Sequence, residues 1–571
     1  MPTITINRRD LESLLQQSIP DGQLQELLLS AKAEIEEITG NELKLEMKDF
    51  NRPDLWSVEG IARQLQGDIG ILGLPTLPVK PPSVDICVYP SVKKIRPYIA
   101  CAVIKDLRLT DEHIRQLIQL QEKLDLSYGR KRQKTSIGLY DWSLIDPPIH
   151  YLLANPLKEA FIPLGFDKVL TLKEILKVHP KGKEYGWILK GLTKYPLLKD
   201  NQDRILSLPP IINSSDLGKV TTQTTEILIE VTGTSVEPVE KVLNIVTANL
   251  IDRKAAVSAV SVNYPWEVQG QKTRITPNFT PETILIDPHE VNRILGLSLT
   301  NQQILDLLAQ RRLQGILQYS SSTSRSSDKK DVMIQVEIPA YRTDIMHSRD
   351  IVEEILIAYG YHNIPLEKPR LVNYGSLTPA TKYLDRIREI AIGLSLQEVQ
   401  TMNLTSVETS CQTMRLSPSP LVVEIANPIS QQYTILRPNL LPCLLELLSE
   451  NTHVTYPQKV FECGTVTSLD ENDDKLVKTR WSLAIALADA ASNFTEIHAY
   501  IHRILEALQE NYQLKPIILP YLIKGRAGNI LLEKIGSVGI LGELHPEVLA
   551  NWGLKVPVAV AEIDLTTLMN K

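Results

Sequence analysis

Apolar and polar positions change period several times along the chain, and each change marks an element. Residues 10–29 carry apolar side chains at helical spacing, ELKLEM (42–47) alternates as a strand does, and 57–66 is helical again after the turn NRPD. LGLPTLPVKPPSVD then brings Pro75, Pro78, Pro81 and Pro82. Proline fixes φ and cannot donate to a ladder, so 1–75 reads as an N-terminal α/β domain and 76–90 as a Pro-rich linker. From Tyr98 the pattern is strand-like (YIACAVIKDLRL), followed by an amphipathic helix over 111–126 and the basic cluster GRKRQK. Strands at ILSLPPIINS and ILIEVTGT, a helix over 239–252 and the strand AAVSAVSVNY complete an α/β domain at 91–268. A boundary follows at 276–281. Helices at 289–295 and 301–311, a polar loop SSSTSRSSDKKD, a strand MIQVEIP and a helix from Ser348 form a compact α+β unit, 275–368. The last segment, 372–571, opens with a helix over 381–394, contains LLPCLLELLSE and ends in strands.

The fold class is therefore α+β and multidomain, and composition agrees. The chain has 571 residues, 43% hydrophobic and 22% charged, which at roughly 150 residues per domain makes about four globular domains. A net charge of −6 offers no chain-wide positive field, so any nucleic-acid contact has to come from a local patch. Five scattered cysteines with no C-x-x-C point to buried thiols in a reducing compartment and to no zinc ribbon. No apolar run approaches the roughly 18 residues of a membrane span, so a cytoplasmic protein with no membrane partner is expected. The phosphate-loop, dinucleotide, zincin and serine-hydrolase motifs are all absent.

The densest chemistry lies in IPAYRTDIMHSRDIVEEILIAYGYHNIP, 338–365. In a helix from Ser348, Asp350, Glu353 and Glu354 share one face of the first turns, and Asp344 sits just upstream. Four carboxylates so close repel unless something offsets them. A hard cation such as Mg²⁺ would; so would Arg342 and Arg349, with the acids complementing the helix dipole. The residues leave both readings open.

This stretch resembles the B5 signature of the phenylalanyl-tRNA synthetase β subunit, in its short archaeal and eukaryotic-cytosolic form. NRPDLWSVEGIARQL (51–65), PPIINSSDLGKVTTQTTEILIEVTGT (209–234), NPISQQYTILRPNLLPCLLELLSEN (427–451), FECG (461–464) and GILGELHPEVLANWGL (539–554) agree in order. The resemblance implies an N-terminal α/β domain, a B3/B4 editing-type domain at 91–268, a winged-helix-like B5 domain at 275–368 and a class II catalytic-like module at 372–571, an antiparallel sheet with helices. It implies Mg²⁺ on Asp344, Asp350, Glu353 and Glu354 at a place shared with the α subunit, in an (αβ)₂ heterotetramer that charges tRNA(Phe) using ATP. No R-x-E precedes FECG. ATP chemistry needs such cations, so adenylation is assigned to the α chain. LLPCLLELLSE suits core or subunit interface equally.

An apolar pocket for phenylalanine rejects the added hydroxyl of tyrosine only about 10²-fold, so a second, hydrolytic site has a rationale. By resemblance the B3/B4 domain hydrolyses Tyr-tRNA(Phe). Asn213 and Ser214 after one strand, and Glu230, Thr232 and Thr234 on one face of another, are the candidates for its pocket. Against this, threonine is a common strand residue and Glu230 could face solvent. The run Arg130, Lys131, Arg132 and Lys134 could meet phosphates or merely be solvated. A non-catalytic tRNA-binding scaffold with a decayed editing site is the rival from another class.

Overall fold

The computed structural model describes residues 2–319, 332–369, 371–533 and 535–569. It divides into two compact units, Met1–Glu367 and Lys368–Lys571. SSSTSRSSDKKD, residues 320–331, lies outside the described residues.

The first unit begins with an antiparallel sheet ordered Thr3–Asn7, Glu42–Met47, Ala33–Thr39, covered by helices. The helix expected over 10–29 is two, Arg8–Leu15 and Asp21–Ser30. Gln16 turns left-handed at φ 56°, and Pro20 opens the second helix, where its missing N–H costs nothing. The next sheet has ten strands, with Ile227–Gly233 held antiparallel between Tyr98–Lys105 and Thr135–Asp141. Helix Val236–Asp252 packs on this sheet through Val239, Val242 and Val246.

Two boundaries differ from expectation. Asp85–Val88, inside the expected linker, is a strand paired parallel with both Ala256–Val268 and Ile149–Ala154. All four prolines precede it, so its ladder is free of them, and Ile86 and Val88 are buried. Nor does packing stop near 75: Ile4, Leu43 and Leu65 belong to the same apolar cluster as Leu243 and Ile245. Farther on, Glu282–Ile286, Val332–Ile338 and Gln314–Tyr319 form a three-stranded sheet beside helices Pro288–Leu295, Asn301–Gln310 and Ser348–Tyr359.

The second unit is a seven-stranded sheet with helices on both faces. Strand Val477–Ala488 sends Leu483, Ile485 and Leu487 into one apolar cluster and Ala484, Ala486 and Ala488 into the other. A strand buried on both sides reads as an unbroken apolar run, which is why LAIALA shows no alternation. LLPCLLELLSE becomes helix Leu441–Glu450, with Leu441, Leu444, Leu445 and Leu448 buried in the second cluster, so core is its role within this unit. FECG lies in Gln458–Leu469, where buried Glu462 receives Arg437 Nη1 at 2.7 Å and Thr401 Oγ1 at 2.6 Å.

Candidate functional site

A cavity of about 350 Å³ opens in the first unit between helix Asp111–Lys123, the strands Thr135–Asp141 and Ile227–Gly233, and the loop 208–220. Its walls are largely aliphatic, including Leu117, Leu139, Leu164, Leu208 and Ile211. Strand pairing sets Glu230 opposite both Gly138 and Cys101, in the middle of the sheet. Glu230 is 3% exposed and lines this cavity.

The Tyr140 hydroxyl sits 2.8 Å from both Glu230 Oε2 and Ser207 Oγ. Glu230 Oε1 is buried with no hydrogen-bond partner. Leaving a buried acceptor unpaired costs about 1–3 kcal/mol, so the atom is poised for a donor brought from outside. Burial pushes the carboxyl up to about 7, against the pull of Tyr140, Arg96 and the neighbouring Thr232 hydroxyl. Gly138 makes the arrangement possible: a Cβ there would fall 2.4 Å from the Tyr140 hydroxyl and 2.5 Å from Glu230 Oε2.

The other expected pocket residues separate. Asn213, in the short strand Ile212–Asn213, lines the cavity and donates its Nδ2 to the Leu139 carbonyl at 3.0 Å. Ser214 is buried and its Oγ accepts from Leu217 N at 3.3 Å, which holds the following turn. Thr232 is on the face of Glu230, yet its Oγ1 accepts from Arg96 Nε at 2.9 Å, so it anchors a buried arginine. Thr234 lies beyond the strand, which ends at Gly233, and is exposed. Tyr140 and Ser207 were not singled out in the sequence, and only pairing across the sheet brings them to Glu230.

Arg132, one of the run expected to be solvated or phosphate-bound, points inward. Its Nη1 donates to the carbonyls of Ile211 at 2.9 Å and Pro210 at 3.2 Å, its Nε is 3.1 Å from Asp125 Oδ2, and it stacks over Tyr185. Arg130, Lys131 and Arg132 have φ of 50°, 53° and 65°, three successive left-handed residues. Such strain persists only where surroundings over-determine it, here through Arg132 N to the Asp125 carbonyl and Lys131 N to that of Leu126. Asp125 is fully buried, which pushes its carboxyl up to about 7 despite Arg132 and Arg96.

The acidic quartet forms a second site and departs from the expected metal cage. Asp344 receives Arg342 Nε at 2.7 Å and Nη2 at 2.6 Å. Glu354 receives Arg311 Nε at 2.8 Å and Arg342 Nη2 at 2.9 Å, with Arg52 Nη1 3.6 Å away. Burial raises both carboxyls, but the guanidiniums, Arg342 foremost, outweigh it and hold both below the ordinary carboxylate range. Asp350 instead caps its own helix, with Oδ2 accepting from Met346 N at 2.9 Å and His347 N at 2.8 Å. Glu353 faces solvent and meets Lys32 at 3.3 Å. The reason is rotation: positions 353 and 354 lie about 100° apart around a helix, so one faces out and the other in.

Among the described residues no three His, Cys, Asp or Glu side chains gather in a metal-holding set. The oxygens of Asp344 and Glu354 are taken by arginines, whose charge repels a cation, and these two do not fit Mg²⁺. Asp350 and Glu353, one turn apart, keep oxygen donors toward solvent.

Comparison with known proteins bears on both sites. The profile of the tRNA synthetase B5 domain matches residues 284–361, and that of the phenylalanyl tRNA synthetase beta chain CLM domain matches 364–565. The phenylalanine–tRNA ligase beta subunit of Thermococcus sibiricus is 40% identical, over 99% of this chain and 98% of its own. That of Pyrococcus horikoshii is 40% identical over the whole of both chains. The crystal structure of an N-terminal fragment of the P. horikoshii phenylalanyl-tRNA synthetase β-subunit superposes with a TM-score of 0.58 at 39% identity, covering 63% of this chain and 100% of the fragment.

Proposed function

We propose, because this chain belongs to the phenylalanine–tRNA ligase β-subunit family, that its large cavity hydrolyses Tyr-tRNA(Phe) misformed by the ligase. The observation that carries this is the buried, unpartnered Oε1 of Glu230, a carboxylate in the wall of a largely apolar cavity. A tyrosyl ring entering that cavity presents a phenol O–H to this acceptor. A phenylalanyl ring fills the same space and leaves the acceptor orphaned, which disfavours it by about 1–3 kcal/mol, or roughly 5- to 150-fold. In the reaction a water oxygen bonds to the ester carbonyl carbon and the bond from that carbon to the ribose oxygen breaks. The ribose oxygen takes a proton, and tyrosine leaves as its carboxylate with release of a second proton. Glu230 acts by selecting the ring, and Asn213 supports the wall through Leu139.

The same reading gives ATP-dependent activation to an α partner in an (αβ)₂ assembly in the cytoplasm. It agrees with Arg437 being locked to Glu462 and so withheld from a phosphate. It places Mg²⁺ on Asp350 and Glu353, completed by water and by groups of the α chain, where it would neutralise the outward carboxylates at a shared surface.

The test is the complex with Glu230→Ala. Deacylation of Tyr-tRNA(Phe) should fall by one to two orders of magnitude while charging with phenylalanine is retained. Unaltered deacylation would remove Glu230 from the site; a wild-type complex inert toward Tyr-tRNA(Phe) would leave the scaffold reading.

A further inference from the structure

In the second unit, helix Phe494–Ala507 sets Phe494, His498 and His502 along a single stripe, each four residues after the last. Phe494 and His498 stack with ring centroids 6.1 Å apart. The stripe meets Tyr512, the first residue of strand Tyr512–Pro516, which pairs with Leu522–Leu532 and stands at the edge of the sheet. The Tyr512 hydroxyl lies 2.8 Å from His498 Nε2 and 3.3 Å from His502 Nδ1. Two imidazole nitrogens and a phenol oxygen, carried by two elements, therefore converge on one point.

Hydrogen bonding accounts for this meeting only in part. A phenol has one proton, so it donates to one imidazole nitrogen, and the other has to bring a proton of its own. The 3.3 Å contact to His502 is long for such a bond, and His502 is exposed, with water to bond instead. The same spacing suits an ion. Ligands about 2.0–2.1 Å from a tetrahedral centre stand about 3.3 Å from one another. His502 and Tyr512 already have that separation, and His498 needs to draw back by about half an ångström. Burial of His498, and then the nearness of His502, lower its pKa, which keeps the ring in the neutral form that ligates.

The donor set selects the metal. Two imidazoles and a phenolate suit Zn²⁺, whereas Mg²⁺ prefers oxygen ligands and water, as at Asp350 and Glu353. We propose that His498, His502 and Tyr512 bind Zn²⁺, with water in the fourth position, and that the ion ties helix Phe494–Ala507 to the edge strand Tyr512–Pro516. On binding, the phenol O–H bond breaks, the oxygen bonds to the metal through the electron pair it keeps, and the proton passes to water. His498 and Tyr512 are half-buried and His502 is exposed, so the ion enters directly from solvent.

The experiment titrates ZnCl₂ into the α–β complex in excess Mg²⁺, which fills oxygen sites. Calorimetry compares the unsubstituted complex with His498→Ala, His502→Ala and Tyr512→Phe. A binding event of one Zn²⁺ per β chain should weaken about tenfold or more in each variant and vanish when both histidines are replaced. In the unsubstituted complex Zn²⁺ should also raise the near-ultraviolet difference band of a tyrosinate, absent from Tyr512→Phe, and slow amide exchange along Tyr512–Pro516. Affinity unchanged in either histidine variant overturns the proposal, as does a Tyr512→Phe complex that binds as tightly as its parent, or a parent with no zinc event. Each variant is first compared with the parent for thermal midpoint without zinc. Where one is less stable, the tyrosinate band and the exchange of the unsubstituted complex decide, and no response in either overturns the site.

Discussion

Replacing Glu354 by Gln or Ala tests the reading of the acidic quartet as an arginine-bound node. Arg52, Arg311 and Arg342 are all buried, and with Asp54, Asp344 and Glu354 they make three cations facing three anions. Removing Glu354 leaves one positive charge in excess, out of reach of water. Breaking a buried pair in this way costs about 3–5 kcal/mol, against about 0–1 kcal/mol for an exposed pair. At 1.4 kcal/mol per decade, local opening should rise roughly 10²- to 4 × 10³-fold. Amide hydrogen exchange read by mass spectrometry along Pro53–Leu55 and Ser348–Tyr359 would report it. The Glu354→Leu, Arg311→Leu double variant should recover much of the loss, because both members of one pair are then gone. The sign with pH follows from the depressed carboxyl: the node's stabilisation is present above the ordinary carboxylate pKa and is lost only as pH falls well below it. Protection unchanged within threefold in Glu354→Ala would refute the reasoning.

Three further outcomes are expected. Glu230, raised to about 7 from an ordinary 4.5, gives stability that is fully present below about pH 4.5 and lost as pH rises through 7. Glu230→Gln should therefore shrink the difference in thermal midpoint between pH 5 and pH 8, and an unchanged difference would count against a neutral buried carboxyl. Gly138→Ala should lower hydrolysis of Tyr-tRNA(Phe) at least tenfold by driving its methyl against Tyr140 and Glu230, and wild-type rates would show that these side chains give way. Asp350→Ala should cost about 1 kcal/mol of helix stability as a lost cap. In the α–β complex it should also abolish a Mg²⁺-dependent rise in thermal midpoint that Asp344→Asn leaves in place; the reverse pattern would return the metal to Asp344.

Local pattern made the helix at Ser348, the strand carrying Glu230 and the strand at 42–47 legible in the sequence. It also singled out Asn213 and Glu230, both of which line the cavity, since polar side chains in otherwise apolar strands are conspicuous. Partners distant in sequence were out of reach. Arg52 and Arg311, which decide the state of Glu354, come from segments about 300 and 43 residues away, and no spacing rule connects them. The strand period puts Thr232 on the face of Glu230, but its partner Arg96 is 136 residues away. The inward turn of Arg132 depends on a left-handed backbone that charge patterning does not encode, and the strand at 85–88 was masked by the prolines before it.

The node also sets a timetable for synthesis. Arg52 leaves the ribosome 290 residues ahead of Arg342, which at 5–20 residues per second is about 15–60 s. For that interval the first segment carries Arg52 and Asp54 without the groups that complete their neutralisation, and Arg63 waits similarly for Asp252, 189 residues on. The Met1–Glu367 unit can close only after most of it has been made. A nascent chain stalled before residue 342 should therefore show the N-terminal segment open to protease, and one stalled well beyond 367 should show it protected.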